Sequence, residues 1–143
     1  MARTLLIPVD GSEHSRRALT EAATEFEADE RIVLHVVEPF DVFSVTEEAV
    51  WDEAYMDKRE REAAALLEEY EALADELGVS IRTELVRGSP AREIIRAVDD
   101  HAVDHVVMGS RGRTGVGRVV LGSVAETVAE RSPVSVTIIR PGD

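Results

Sequence analysis

The chain has 143 residues, 44% hydrophobic and 31% charged, which is enough for one domain with a buried core and too short for two. Its 29 acidic and 16 basic residues give a formal net charge of −13, which argues against nucleic-acid binding because that binding requires cations to neutralise phosphates. It contains no cysteine, which excludes disulfides and thiolate metal sites and fits a cytoplasmic protein.

The first half of the chain predicts two strands and two helices in alternation. Residues 3–9 (RTLLIPV) form an apolar run followed by turn residues, which is typical of a strand buried on both faces and too short for a signal peptide or a membrane span. Residues 12–27 carry apolar side chains at helical spacing, and residues 31–37 (RIVLHVV) are typical of a second buried strand. A long helix is predicted from Thr46, as its N-cap, to residue 77.

The second half continues the alternation. A third strand at residues 80–86 alternates enough to lie near a sheet edge, and Ser89-Pro90 predicts the start of a short helix to residue 99. The remaining elements are a strand at 105–108, a helix at 123–130 and a strand at 134–139. Strict alternation predicts one α/β domain over residues 1–143, with a five-stranded parallel sheet, helices on both faces, and the common strand order 3-2-1-4-5.

A glycine-rich loop follows the fourth strand. Residues 109–123 (GSRGRTGVGRVVLGS) contain five glycines, three arginines and no acidic residue. In the predicted strand order the direction of winding reverses between strands 1 and 4, and open parallel sheets bind ligands outside the strand ends at that point. Asp10 leaves strand 1 there, so we expect it to face the loop.

These residues suit a nucleotide. The loop supplies backbone N–H groups at the start of a helix, where Ser123 can cap the helix or donate to a phosphate oxygen. Arg111, Arg113 and Arg118 can add positive charge, and Asp10 can accept hydrogen bonds from ribose hydroxyls. The chain lacks both the P-loop lysine and hydroxyl after Gly117 and the three spaced glycines of the Rossmann fingerprint after strand 1.

The pattern as a whole resembles the universal stress protein family, over the full chain. The resemblance is carried by V-D-G-S at residues 9–12, L-H-V-V at residues 34–37, Arg87-Gly88 before Pro90, and the final strand. The spacing Gly109-x₂-Gly112-x₉-Gly122-Ser123 is similar to that of the family's ATP-binding branch, whose fold is Rossmann-like and close to that of the adenine nucleotide alpha hydrolases.

The resemblance implies a set of site residues and partners. It implies that Asp10 holds the ribose and that the phosphates lie among Gly109, Arg111, Gly112, Gly122 and Ser123. Pro8, Val9, Val36 and Met108 would line the adenine pocket. ATP is the implied ligand, with the presence of Mg²⁺ or Mn²⁺ left open, and the implied assembly is a homodimer paired through the strand at residues 134–139. No nucleic acid and no membrane is expected as a partner.

Three functions stay open at this point. The first is an ATP-binding regulatory domain for the stress response, with slow or no hydrolysis. The second is a weak ATPase or nucleotidyl-transfer enzyme of the same fold, which would need a general base and a metal site. The third is a homodimeric scaffold that binds no ligand.

Several residues also have plain structural interpretations. Asp10 can be a turn former before Gly11, the loop a mobile connection, and Arg113 and Arg118 partners of surface carboxylates. His14 is expected at a solvated helix start, although it could approach a phosphate. His35 is expected to be a core histidine bonded to backbone. A metal role for the pair His101 and His105 is disfavoured because the two residues straddle a loop and a strand.

The excess of acidic residues and the near absence of lysine predict an adaptation to high salt concentration. Only Lys58 of the basic residues is lysine, and the excess of acidic residues resembles halophilic proteins, whose carboxylate-rich surfaces stay hydrated at high ionic strength. The free energy of unfolding is therefore expected to rise from dilute buffer to molar KCl, as measured by denaturant titration at each salt concentration. Greatest stability in dilute buffer would contradict the hypothesis.

Overall fold

The structure is a computed structural model, and it describes residues 3–38, 53–110 and 121–140. Alternating strands and helices fill these ranges, as the sequence predicts. Within the described residues, no helix combines the length and the apolar character needed to cross a membrane.

Five parallel strands form one sheet. Their bounds are β1 Thr4–Pro8, β2 Glu30–Val37, β3 Arg82–Arg87, β4 His105–Gly109 and β5 Ser135–Ile139. The order in the sheet is β3-β2-β1-β4-β5, which confirms the predicted order and the edge position of the third strand. β1 lies at the centre, with Leu5 paired to Arg31 of β2 on one side and to His105 of β4 on the other.

The helices among the described residues are α1 Glu13–Thr24, α2 Glu53–Leu77, α3 Pro90–Asp100 and α4 Ser123–Arg131. α1 ends three residues before the predicted end, with Glu25 as its C-cap. The predicted cap of the long helix, Thr46, lies outside the described residues. Pro90 occupies the predicted first position of α3 after the N-cap Ser89, whose side chain makes no capping hydrogen bond.

Both faces of the sheet are buried, which explains why the strands read as continuous apolar runs. Because side chains alternate along a strand, Leu5 and Ile7 of β1 pack on one face with α1 and α2, and Leu6 packs on the other with α3 and α4. All three side chains have no exposed surface. The two cores pack the helices against the two faces of the sheet and fix where the strand ends lie.

His105 is part of a polar cluster at the amino ends of β1, β4 and β5. Its Nδ1 lies 3.1 Å from an Arg3 guanidinium nitrogen, which can only donate, so Nε2 carries the proton and donates to Thr137 Oγ1 at 2.7 Å. Burial and the Arg3 cation lower the pKa of His105. His101 lies at the C-cap of α3, and no group of three or more potential metal ligands occurs among the residues that the structure describes.

Candidate functional site

The candidate site lies at the carboxyl ends of β1 and β4. These strands are neighbours, so the turn that carries Asp10 after β1 lies beside Gly109, the last residue of β4. This is the position at which a doubly wound sheet leaves a crevice, because the connections from the two strands run to opposite faces. The predicted juxtaposition of these two strand ends is confirmed.

The turn after β1 holds the Asp10 carboxylate in place. Asp10 Oδ1 accepts a hydrogen bond from the Ser12 backbone N–H at 2.9 Å and another from Ser15 Oγ at 3.1 Å. Gly11 has φ of 84°, a conformation that favours glycine, and Ser12 caps α1 through its side chain. Asp10 is therefore a turn former, and its carboxylate is fixed in orientation by the same contacts.

A buried tyrosine from α2 supports this turn. The Tyr70 side chain is only 1% exposed, and its hydroxyl accepts from Gly11 N–H at 3.1 Å and lies 2.6 Å from Ser15 Oγ. Burial raises the pKa of Tyr70, so the phenol keeps its proton. Neither Tyr70 nor Ser15 was predicted from the sequence. The helical spacing of Ala63, Leu67, Tyr70 and Ala74 indicates that Tyr70 is buried but gives no sign of its partners.

Gly109 is needed for packing between β4 and α1. A Cβ atom at Gly109 would lie 2.6 Å from His14 Cβ and 2.8 Å from the His14 carbonyl carbon. His14 itself is half-buried, and its Nδ1 lies 3.1 Å from Ser110 Oγ. His14 lies at the helix start as expected, but it is half-buried rather than fully solvated, because α1 approaches the end of β4 closely.

The glycine-rich loop is closed at its base by backbone hydrogen bonds. Ser110 N–H donates to the Ile139 carbonyl at 2.9 Å, and Gly122 N–H donates to the Ser110 carbonyl at 2.7 Å. Gly122 is the N-cap of α4 and has no side chain to cap it, so Ser123 is the first helical residue rather than the cap. The N–H groups of the first turn, from Ser123 onward, have no acceptor within the helix.

Two predicted phosphate-binding residues, Arg111 and Gly112, lie outside the described residues. The same holds for Arg113 and Arg118, the two other arginines of the loop, and for Gly117. Of the predicted loop, the structure describes Ser110 at the end of β4 and Gly122 at the start of α4, which are joined by a backbone hydrogen bond.

The residues predicted to line an adenine pocket fall on both faces of the sheet. Met108 is buried in the core beside α3 and α4, and Val36 packs against that core from β2. Pro8 is buried at the end of β1. Val9 belongs to the core on the α1 and α2 face, so its side chain does not share a face with Met108.

The backbone of Val9 is also engaged. Its N–H donates to the Leu34 carbonyl at 2.8 Å, and its carbonyl accepts from His35 Nδ1, also at 2.8 Å. The interpretation of His35 as a histidine bonded to backbone is confirmed, although its side chain is half-buried rather than fully inside. The role of Pro8, Val9, Val36 and Met108 in an adenine pocket stays a prediction.

Comparison with known proteins adds the family context. The model of the universal stress protein family matches residues 1–140. A universal stress protein from Methanocaldococcus jannaschii is 34% identical over 141 residues, covering 96% of this chain and 82% of that protein. The solved structure of another universal stress protein from that organism has a TM-score of 0.85 and 30% identity, covering 100% of this chain and 99% of that one.

Two further solved universal stress proteins share the fold at lower identity. One, in complex with cAMP, has a TM-score of 0.71 at 24% identity and covers 97% of both chains. The other, from Archaeoglobus fulgidus in complex with dAMP, has a TM-score of 0.69 at 20% identity and covers 97% of this chain and 98% of that one.

The packing at Gly109 predicts a stability effect that needs no ligand. Gly109→Ala is expected to lower the free energy of unfolding by about 1–3 kcal/mol, because the added methyl group meets the His14 backbone. Chemical denaturation without nucleotide measures this. Gly78→Ala is a comparison variant: Gly78 has φ of 76° and nothing within 4 Å of an added Cβ, so this variant measures backbone strain without collision, whereas Gly109→Ala measures collision without that strain. Wild-type stability in Gly109→Ala would show that α1 does not approach β4 as described.

Proposed function

The chain belongs to the universal stress protein family, and we propose that within this family it is an ATP-binding regulatory domain with slow or no hydrolysis. One observation carries the proposal. The fixed carboxylate of Asp10 lies at the end of β1, beside the end of the adjacent strand β4. The start of α4 is held at the end of β4 by the hydrogen bond from Gly122 N–H to the Ser110 carbonyl.

The groups at this edge match the parts of a nucleotide. Asp10 supplies an oriented acceptor for ribose hydroxyls, as acidic residues do in dinucleotide folds. The first-turn N–H groups of α4 and the positive end of its dipole suit phosphate oxygens, with the Ser123 hydroxyl exposed beside them. Arg111 and Gly112 complete the phosphate site in the proposal, and Pro8, Val36 and Met108 supply its apolar wall.

Adenine is the proposed base. Two family members of this fold were solved with cAMP and with dAMP, both of which are adenine nucleotides. The preference for ATP rests on the spacing of Gly109, Gly112, Gly122 and Ser123. Mg²⁺ or Mn²⁺ could accompany the phosphates as a counter-charge.

The chemistry of the loop favours a regulator over an efficient enzyme. Residues 109–123 contain no carboxylate, so the loop offers no carboxylate general base and no negatively charged ligand for a cation that would assist hydrolysis. The nearest acidic residue, Asp10, has one carboxylate oxygen engaged by Ser12 and Ser15. We infer that bound ATP would persist long enough to act as a signal.

Gly122→Val tests the phosphate site. Gly122 has φ of −66° and ψ of 159°, extended backbone that any residue adopts, so the variant is expected to fold. Its side chain would stand at the start of α4 and block phosphate approach. We expect calorimetric titration to show that the affinity for ATP falls about tenfold or more. A loss of this size corresponds to one charge-assisted hydrogen bond to the phosphates.

Gly122→Ala serves as the matched control, with a smaller side chain on the same backbone and an intermediate expected loss. Titration of the wild type with ATP, ADP and AMP, together with chromatography of nucleotide released on denaturation, establishes the ligand. A wild-type protein that neither carries nor binds any of these nucleotides would refute the proposed function. Full ATP affinity in Gly122→Val would refute the placement of the phosphates.

We further propose that two copies pair through β5 as a homodimer. β5 is an edge strand on which Val136 and Ile138 are only partly buried, and edge strands with apolar side chains are suited to pairing with another strand. Sedimentation equilibrium at micromolar concentration is expected to give twice the mass of one chain. A monomer under those conditions would contradict the proposal.

A further inference from the structure

A chain of buried hydroxyl groups connects α2 to the Asp10 turn through the first turns of α1. Tyr70 lies on α2 and Ser15 on α1, with exposed fractions of 1% and 4%. The oxygen atoms of their hydroxyls are 2.6 Å apart, and Ser15 Oγ lies 3.1 Å from Asp10 Oδ1. Three segments distant in sequence thus meet behind one carboxylate.

The direction of these hydrogen bonds follows from the number of protons available. Ser15 has one hydroxyl proton and faces Asp10 Oδ1 and the Ser12 carbonyl at 3.1 Å each, as well as Tyr70. The Ser12 carbonyl already accepts from Arg16 N–H, and an ionised carboxylate is the stronger acceptor. Ser15 therefore donates to Asp10, and Tyr70 donates to Ser15.

The remaining donors fit the same direction. Tyr70 oxygen accepts from Gly11 N–H at 3.1 Å, and Ser15 oxygen accepts from Asp10 N–H at 3.3 Å. Tyr70 and Ser15 thus each donate once, toward the carboxylate, and each accepts from the backbone of the turn. Ser15 Oγ also accepts from Ser12 Oγ at 3.3 Å. Phenylalanine would fill the space of Tyr70 in the core, but it would leave Gly11 N–H and Ser15 without this partner.

We propose that Tyr70 and Ser15 are positioning residues that orient the Asp10 carboxylate for recognition of the ribose hydroxyls. This inference rests on the proposed function, since it assigns a ribose to Asp10. The proposal gives a role to Ser15 of α1 and Tyr70 of α2, which lie behind Asp10. Through Asp10 they set the selectivity of the site for a ribose with free hydroxyls. The physical basis is preorganisation: a carboxylate already held by Ser12 and Ser15, with Tyr70 holding Ser15 in place, need not be ordered when the sugar binds.

The test compares two ligands that differ only in the ribose hydroxyls. ATP and 2′,3′-dideoxy-ATP are titrated calorimetrically into the wild type, Tyr70→Phe and Tyr55→Phe. We expect Tyr70→Phe to weaken ATP about tenfold and dideoxy-ATP less than about twofold, because only the bonds to the hydroxyls depend on the carboxylate. Tyr55→Phe removes the same hydroxyl group from the same helix, about 22 Å from Tyr70 along the helix axis. It should leave both affinities unchanged.

The ratio of the two affinities separates positioning from general stability. Loss of structure in Tyr70→Phe would weaken both ligands equally, and an unchanged ratio overturns the inference. Ser15→Ala breaks the chain while leaving Tyr70 in the core, so it is expected to reduce the same ratio and keeps the test available if Tyr70→Phe fails to fold. An unchanged ratio in Ser15→Ala also overturns the inference.

The wild-type titrations distinguish this inference from the function on which it rests. A wild type that binds ATP and dideoxy-ATP equally would overturn the ribose contact and with it the positioning role, while nucleotide binding would stand. A wild type that binds neither would remove the proposed function itself. The inference is supported if the wild type prefers ATP to dideoxy-ATP. This preference should be lost in Tyr70→Phe and in Ser15→Ala and kept in Tyr55→Phe.

Discussion

The close approach of α1 to the end of β4 sets the geometry of the whole candidate site. It is possible only because Gly109 lacks a Cβ atom, and it brings His14 against Ser110. Ser110 in turn holds β5 through the Ile139 carbonyl and the start of α4 through Gly122 N–H. One missing methyl group thus aligns the ends of three elements at one edge of the sheet.

Gly109 and Gly122, at the two described ends of the loop, are glycines for different physical reasons. Gly109 is explained by packing against α1, whether or not a ligand binds. Gly122 adopts extended backbone that any residue tolerates, and its N–H is already bonded to Ser110. Glycine is a common N-cap residue, so the N-cap position accounts for Gly122 without a ligand. A role of Gly122 in phosphate binding stays a proposal.

The sequence predicted the fold well because burial on both faces of a parallel sheet leaves a strong signal. Continuous apolar runs such as residues 3–9 mark the strands, and alternation with helices determines the strand order. Helix ends were less accurate: α1 stops at Thr24 because Glu25 already caps it, a detail of backbone geometry. The positions of Asp10 after β1 and of Gly122-Ser123 at the start of α4 were predicted correctly because they follow from the order of the elements, whereas their roles in binding stay predictions.

Other parts of the site depend on contacts that no local pattern contains. Tyr70 and Ser15 are 55 residues apart, and their hydrogen bond depends on how α2 packs beside α1. Helical periodicity indicates burial of Tyr70 but not its partner. The role of Val9 was implied by the family resemblance, and the structure shows only that its side chain lies on the face of the sheet opposite to Met108.

A nucleotide-dependent regulator must bind its ligand differently in two conformations, since a ligand shifts an equilibrium only by that difference. The Asp10 turn is tied to α2 through Tyr70, and α2 is tied to the same edge of the sheet by two further contacts. Arg59 donates to the Glu38 carbonyl at 2.9 Å, and Arg87 on β3 pairs with Glu60. These two contacts are exposed, so water competes for them and they hold α2 weakly. The hydrogen bonds at Tyr70 are buried within the core that packs Leu67 against α1 and β1, so in the proposed function a ribose held by Asp10 would contact α2 through this part of the core.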